Sequence, residues 1–262
     1  MKATLTVLGS GTSMGVPTIG CDCRVCRSSD PMDHRLRPSI MLEWEGHRVL
    51  VDTTPDFRQQ ALRENITRVH AVIYTHGHAD HILGLDDLRP LTFKRVTGGP
   101  KVPLYAPEPA AQVLRHVFKY IFDADYKFGG LAQVELCEVT APFELFGVKI
   151  IPVPVIHGEA EIFGYRFGSA AYITDFSTIP ESSLTMLEGL DVLFLDALRH
   201  TPHPTHSTVE NSLKIVERLK PARTFFTHIC HDLPHQETNA ALPPHVRLAH
   251  DGLRLEFEIS ES

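Results

Sequence analysis

Residues Thr75-His76-Gly77-His78-Ala79-Asp80-His81 constrain this chain more than any other segment. Four side chains bearing metal-ligand atoms fall within six positions, directly after an apolar run, Ala71-Val72-Ile73-Tyr74, that reads as a buried strand. A segment that leaves a strand in extended form points alternate side chains the same way. His76, His78 and Asp80 are therefore expected to face one point, with His81 offset toward a neighbouring one. Such a layout suits two adjacent metal ions, and imidazole and carboxylate groups are ligands that Zn, Mn, Fe and Ni accept.

Further ligand-type residues stand where apolar runs stop. Val153-Pro154-Val155-Ile156 ends at His157, Tyr172-Ile173-Thr174 at Asp175, and Phe225-Phe226-Thr227 at His228. If those strand ends share one edge, seven ligands converge: His76, His78, Asp80, His81, His157, Asp175 and His228.

The remaining pattern supplies a scaffold. Residues 3–9 read as a strand followed by the glycine-rich loop 9–15, and 39–45 with 48–53 as a hairpin turning at Gly46. Further strands are expected at 103–106, 133–139, 147–156, 162–167, 170–174, 192–196, 224–227 and 253–257. Helices are expected at 56–64, with Pro55 at its first position, and at 83–91, 108–121, 180–188 and 208–219. Buried and half-exposed strand runs mixed with helices argue for an α+β chain, two sheets packed together with helices outside.

Composition narrows the partners. With 262 residues the chain can bury a sizeable core, and 43% hydrophobic residues is an ordinary globular content. A net charge of −7 argues against broad nucleic-acid binding, which leaves a basic footprint. A local pocket for a small-molecule anionic substrate remains compatible with it. Neither a signal-peptide core nor a membrane-length apolar span is found, so the expected location is cytoplasmic.

Three of the five cysteines, Cys21, Cys23 and Cys26, crowd into six residues. Clustered cysteines in a cytosolic chain point to metal or redox chemistry rather than to a disulfide framework. Close spacing on a turn lets three sulfurs reach one tetrahedral ion. His231, three residues after His228, is the expected fourth ligand of a structural zinc, with Cys230 as its rival. Cys137 reads as a strand core residue.

The order of strand–THxHxDH, then His, Asp and His resembles the metallo-β-lactamase fold hydrolases from about residue 5 to residue 232. The resemblance implies a single domain over 1–262, an αββα sandwich of two mixed β-sheets flanked by helices. It implies two divalent metal ions at one edge, Zn or Mn, with Fe and Ni as further options. His76, His78 and His157 would hold one ion, Asp80, His81 and His228 the other, and Asp175 would bridge. Asp52 matches the acidic residue that buttresses the motif loop. Two such ions, about 3.5–4 Å apart, share a hydroxide and neutralise a phosphodiester's charge. Lactamases of the family usually offer a Cys where this chain has Asp175.

Gly15-Val16-Pro17, the C-x-C-x₂-C cluster and Thr227-His228-Ile229-Cys230-His231 resemble the PhnP-like phosphodiesterase branch, with the PqqB-like branch as neighbour. The first implies hydrolysis of a small, cyclic phosphate ester. The alternatives are a thioesterase or lactonase of the same fold, and a PqqB-like biosynthesis or carrier protein with little turnover. Nothing resembles the exosite arm of tRNase Z. In phosphodiesterases of the superfamily a histidine in the region 196–206 protonates the leaving oxygen. His206, just before a helix, is the first choice, followed by His203 and His200, and a near-neutral pKa suits the role. Asp80 completes the catalytic set. Arg199 and Ser13 are candidate substrate contacts, although the glycines around Ser13 serve equally well as a turn. Homodimers are common in the family, but no exposed apolar stripe marks an interface in this sequence.

Overall fold

Alternation along the strands builds the molecule. In Ser39–Trp44, Ile40, Leu42 and Trp44 join one apolar cluster while Met41 joins another on the opposite face. The computed structural model describes residues 1–92, 101–123, 125, 126 and 129–259.

Strands β1 (Lys2–Gly9), β2 (Ser39–Trp44), β3 (His47–Val51), β4 (Ala71–Ile73), β5 (Val102–Ala106) and β6 (Val134–Glu138) lie side by side in the first sheet. The second sheet runs in chain order from β7 (Phe143–Leu145) through β8 (Val148–His157), β9 (Ala160–Phe167), β10 (Ala170–Ile173), β11 (Val192–Asp196) and β12 (Arg223–Thr227) to β13 (Val246–Leu248). The last strand, β14 (Arg254–Glu258), returns to pair with β1.

Both sheets are mixed and repeat one plan. In the first, β14, β1, β2 and β3 are antiparallel neighbours, and β3 to β6 are parallel. In the second, β7 to β10 are antiparallel and β10 to β13 parallel. Parallel neighbours need crossovers, usually helical. Helices Phe57–Arg63 and Glu108–Val117 cover the outer face of the first sheet, and Glu181–Met186 and Val209–Leu219 that of the second. Between the sheets, Leu5, Ile40, Trp44, Val49 and Ile73 meet Val148, Ile150, Tyr165, Phe167, Tyr172 and Phe194. Two sheets with helices on both outer faces form the αββα sandwich that the sequence implies.

This topology places the chemistry. Strands β8, β10, β11 and β12 run in one direction, so His157, Asp175, Asp196 and His228 emerge at a common end. Carboxyl ends of such strands are where open α/β sheets build ligand sites.

Several local expectations are corrected. The chain does not run extended from His76 to His81: Ala79–Ile82 is a helical turn with His78 at its N-cap. The helix expected over 83–91 is instead a 3-10 turn at Leu85–Leu88 followed by Arg89–Thr92. Gly84 explains the break, because a Cβ there would lie 2.0 Å from the Thr54 carbonyl oxygen while its amide donates to the Thr53 carbonyl. Pro55 is not the first helical residue; Asp56 caps a helix that begins at Phe57. The span 108–121 splits at Phe118 into Glu108–Val117 and Lys119–Phe122. Strands β7 and β13 and the helix His235–Ala241 are additions to the elements read from sequence.

Candidate metal centre

The seven ligand-type side chains meet at the shared edge as two groups. His76, His78 and His157 form one, and Asp80, His81, Asp175 and His228 the other. The helical turn at 79–82 moves Asp80 away from His76 and His78. The extended reading put these three at one point; the structure joins Asp80 to His81 and His228, because a turn of helix brings Asp80 and His81 together. Their atoms lie close: His81 Nε2 is 3.2 Å from Asp80 Oδ2, and His228 Nε2 is 3.6 Å from the same oxygen. Asp175 Oδ2 stands between the groups, 3.4 Å from His81 Nε2, 3.3 Å from His228 Nε2 and 3.9 Å from His76 Nε2. His76 Nε2 and His78 Nδ1 are 2.9 Å apart. Ligands held about 2.0–2.1 Å from one ion sit roughly 2.9–3.4 Å from each other, so these spacings fit shared cations.

Unpartnered atoms give the stronger test. Asp80 Oδ2, His81 Nε2 and His228 Nε2 are buried without hydrogen-bond partners. Leaving such groups unpaired costs on the order of 1–3 kcal/mol each, and a cation between them satisfies all three. The donor set therefore fits divalent metal.

The orienting contacts begin at Asp52. This fully buried carboxylate accepts from the Thr75 amide at 2.8 Å, the Thr75 hydroxyl at 2.8 Å and His81 Nδ1 at 2.7 Å. The Thr75 hydroxyl in turn meets His76 Nδ1 at 3.0 Å. One carboxylate thereby turns His76 and His81, one from each group, so that their Nε2 atoms face the centre. Across the edge, His157 Nδ1 donates to the Thr205 carbonyl at 2.8 Å. The Thr174 hydroxyl donates to Asp175 Oδ1, leaving Oδ2 for the histidines. Asp52, Asp175 and His228 all follow strand ends with φ of +65°, +57° and +56°. That left-handed backbone is uncommon outside glycine and recurs at functional sites.

Burial acts against every charge here, yet the pairing wins. Desolvation alone would raise Asp80 and Asp175, but the neighbouring His81 and His228 hold both well below the usual carboxylate range. Desolvation alone would lower His81 and His228, but Asp80 and Asp175 lift His81 well up and His228 to about 9. His76 is pushed well down, by burial first and by His81 second.

The three histidines after β11 separate clearly. His206 is 12% exposed, stacks on His228 at 4.5 Å and lies 4.9 Å from the His157 ring. Its Nδ1 donates to Asp196 Oδ2 at 2.9 Å. His203 stands behind it, 5.1 Å away. His200 is 57% exposed and paired with Glu210, turned from the edge. Arg199 spends its guanidinium on the Thr201 and Pro202 carbonyls of its own loop. Ser13 is exposed, and its carbonyl accepts from Arg37. Its loop has a packing role: a Cβ at Gly9 would lie 1.9 Å from the Arg37 carbonyl oxygen, and the amide of Thr12 donates to the Ile229 carbonyl. Asp196 was not among the residues singled out from sequence, although it too ends an apolar strand. Thr205 acts through its backbone, which no side-chain pattern signals.

A second cluster lies three residues beyond His228. His231 Nδ1 is 3.2, 3.5 and 3.4 Å from the sulfurs of Cys21, Cys23 and Cys26. Around a tetrahedral zinc, sulfur and nitrogen ligands stand roughly 3.6 Å apart. Amides of Thr18 and Cys26 donate to the Cys26 and Cys23 sulfurs. Cys230 is turned away toward Asp232 and outside the group. Buried Arg35 fixes the joint, donating to the Cys230 and Leu233 carbonyls on either side of His231.

A cavity of about 180 Å³ borders His76, His78 and His157. A larger one, about 510 Å³, lies by Phe57, Arg58 and Leu91 and is lined by none of these histidines. No helix among the described residues is long and apolar enough to cross a membrane.

Comparison with known proteins agrees with this fold. The family described as Beta-lactamase superfamily domain matches residues 47–229. A solved structure described as a new diphosphatase from the PhnP family is 68% identical, covers 99% of this chain and 98% of that one, and superposes with a TM-score of 0.94. Zinc-bound PqqB from Methylobacterium extorquens shares the fold, with 23% identity, a TM-score of 0.77 and coverage of 96% and 99%. An octanoyltransferase of Porphyromonas gingivalis is 38% identical over 252 residues, 94% of this chain. The chain spans only 50% of that relative's length.

Proposed function

The chain belongs to the β-lactamase superfamily and, within it, to the PhnP family, and from that premise we propose that it hydrolyses a P–O bond in a small anionic, phosphodiester-type molecule. The observation that carries the reading is Asp175, one carboxylate oxygen within 3.9 Å of His76 and within 3.4 Å of His81 and His228. Two divalent cations, zinc or manganese with iron or nickel as options, would supply a water of lowered pKa and neutralise phosphate charge. His76, His78 and His157 would hold one, Asp80, His81 and His228 the other, and Asp175 both.

This chain's own residues do the rest. Asp52 and Thr75 hold the rings in register. His206, oriented by Asp196, donates a proton to the leaving oxygen; proximity to His228 and His157 supports it over His203 and His200. A structural zinc bound by Cys21, Cys23, Cys26 and His231 would stitch the His228 loop to the N-terminal turn. The net charge of −7 supports a small substrate over nucleic acid. A cytoplasmic location is part of the proposal, supported by five free cysteines.

The similarity to a diphosphatase adds a second leaving group. A substituted diphosphate expels phosphate, a stable anion, whereas an ester expels an alkoxide that needs a proton. Octanoyl transfer is not proposed for this chain, which spans only half the length of that relative.

The test is turnover of a cyclic ribose phosphate, an aryl phosphodiester, a substituted diphosphate, a thioester and a lactone by metal-counted protein beside Asp80→Ala. Phosphodiester or diphosphate cleavage that vanishes in the variant is expected. Cleavage of only the thioester or lactone, or of nothing at full metal loading, overturns the reading in favour of the thioesterase/lactonase or PqqB-like alternatives.

A further inference from the structure

Resting on the phosphodiester reading, we propose that the cavity beside His78 seats an uncharged, ring-sized group that stays on phosphorus when the bond breaks. The cavity adjoins one end of the centre only. His76, His78 and His157 are in its wall, while His206 and His228 are not. The leaving oxygen goes to His206, so the group in the cavity is the one retained.

Its walls state what that group is. Pro107, Pro109, Ala110, Val113 and Ile162 are apolar, and the helix that carries Val113 is seated on the histidine tract: a Cβ at Gly77 would lie 3.0 Å from Val113. Glu161 is the single charged residue besides the histidines, and no Lys or Arg is among the lining residues described. Beyond the metal-ligand histidines, a second phosphate meets one carboxylate and no Lys or Arg among the lining residues described, so a neutral group is favoured. A volume of about 180 Å³ slightly exceeds the roughly 150 Å³ apolar cavity that holds benzene, which matches one six-membered ring. The assignment holds whether the leaving group is an alcohol or a phosphate.

The experiment keeps the leaving group constant and varies the retained one. Phenyl p-nitrophenyl phosphate and methyl p-nitrophenyl phosphate both release p-nitrophenolate. In metal-loaded wild-type protein, kcat/KM should favour the phenyl ester by roughly tenfold or more. Val113→Phe, which fills the cavity, should bring that ratio toward one. Ala160→Leu narrows it from the exposed rim of β9 and should act in the same direction, so the test survives a poorly folding Val113→Phe. A ratio near one in the wild type, or one that neither variant changes, overturns the cavity assignment alone. Failure to cleave either ester, together with failure on the cyclic ribose phosphate and the substituted diphosphate, would instead overturn the reading on which it rests.

Discussion

The two ligand clusters lie three residues apart in sequence, at His228 and His231, yet they are built on opposite principles. The edge cluster draws its residues from β4, β8, β10 and β12, so nothing local holds it together. It stores unpartnered atoms and left-handed backbone, and it opens on a cavity. The cysteine cluster takes three of its four ligand-type side chains from six consecutive residues, adds His231 as the fourth and gives two of its sulfurs an amide donor. A strained donor set open to a cavity suits chemistry; a compact four-donor set suits a staple. Charge separates them further. The edge balances carboxylates against imidazoles, whereas three thiols cannot all ionise side by side without a cation. The Cys26 amide helps bring Cys23 down to about 6, while burial drives Cys26 up to about 11.

The sharpest way to break this contrast is Asp175→Ala. Removing the oxygen shared by both edge groups should lower phosphodiester turnover by roughly 10⁴-fold or more. Elemental analysis should find edge metal lost and about one zinc per chain retained at the cysteines. Loss of that zinc as well would make the clusters one unit. Next in size, His206→Ala should slow alkyl esters by roughly 10²–10³-fold. On p-nitrophenyl esters, whose leaving group needs no proton, the loss should stay under about tenfold. Equal losses on both would remove His206 from the acid role.

Cys23→Ser probes the staple. Loss of about 2–3 kcal/mol would lower the melting temperature by roughly 5–10 °C, readable by calorimetry. Turnover should fall by less than about tenfold, because the residue acts on His228 only through the 228–231 loop. A collapse of turnover comparable to that of Asp175→Ala would show that the staple is part of the centre.

The smallest effect is a proton count. Burial alone would lower His228, but Asp175 and Asp80 raise it to about 9 in the metal-free fold, above the unfolded value near about 6.5. Its protonated form therefore stabilises metal-free protein fully below about pH 6.5, and that contribution is lost as pH rises through about 9. Metal displaces the same proton, so edge loading should tighten from pH 7 to 9. Calorimetry at pH 7.5 in buffers of different ionisation enthalpy should report proton release. A buffer-independent heat would contradict a raised His228.

Much of the centre was legible because ligand-type residues interrupt apolar runs, and a polar side chain at the end of a buried strand is conspicuous. His157, Asp175 and His228 stand out for that reason, as Cys21, Cys23 and Cys26 do by spacing. Local reasoning misplaces Asp80, because the chain does not stay extended past the strand. The Thr53 amide binds the His81 carbonyl and Gly84 presses on Thr54, and those contacts bend the chain into a helical turn. Asp52 is legible by resemblance, whereas Asp196 is not, because its partner, His206, lies ten residues on across a loop.

Sequence by itself determined the strand and helix periodicities, the two ligand-rich segments and the strand-end ligands, since each depends on residues close along the chain. Tertiary structure decided that Asp80 stands with His81 rather than with His76 and His78, which of three histidines reaches the centre and which cavity adjoins it. Those depend on register: the parallel pairing of β10, β11 and β12 brings Asp175, Asp196 and His228 to one edge. Distances of 3 to 4 Å between side chains far apart in sequence are set by how two sheets stack, which no local pattern encodes.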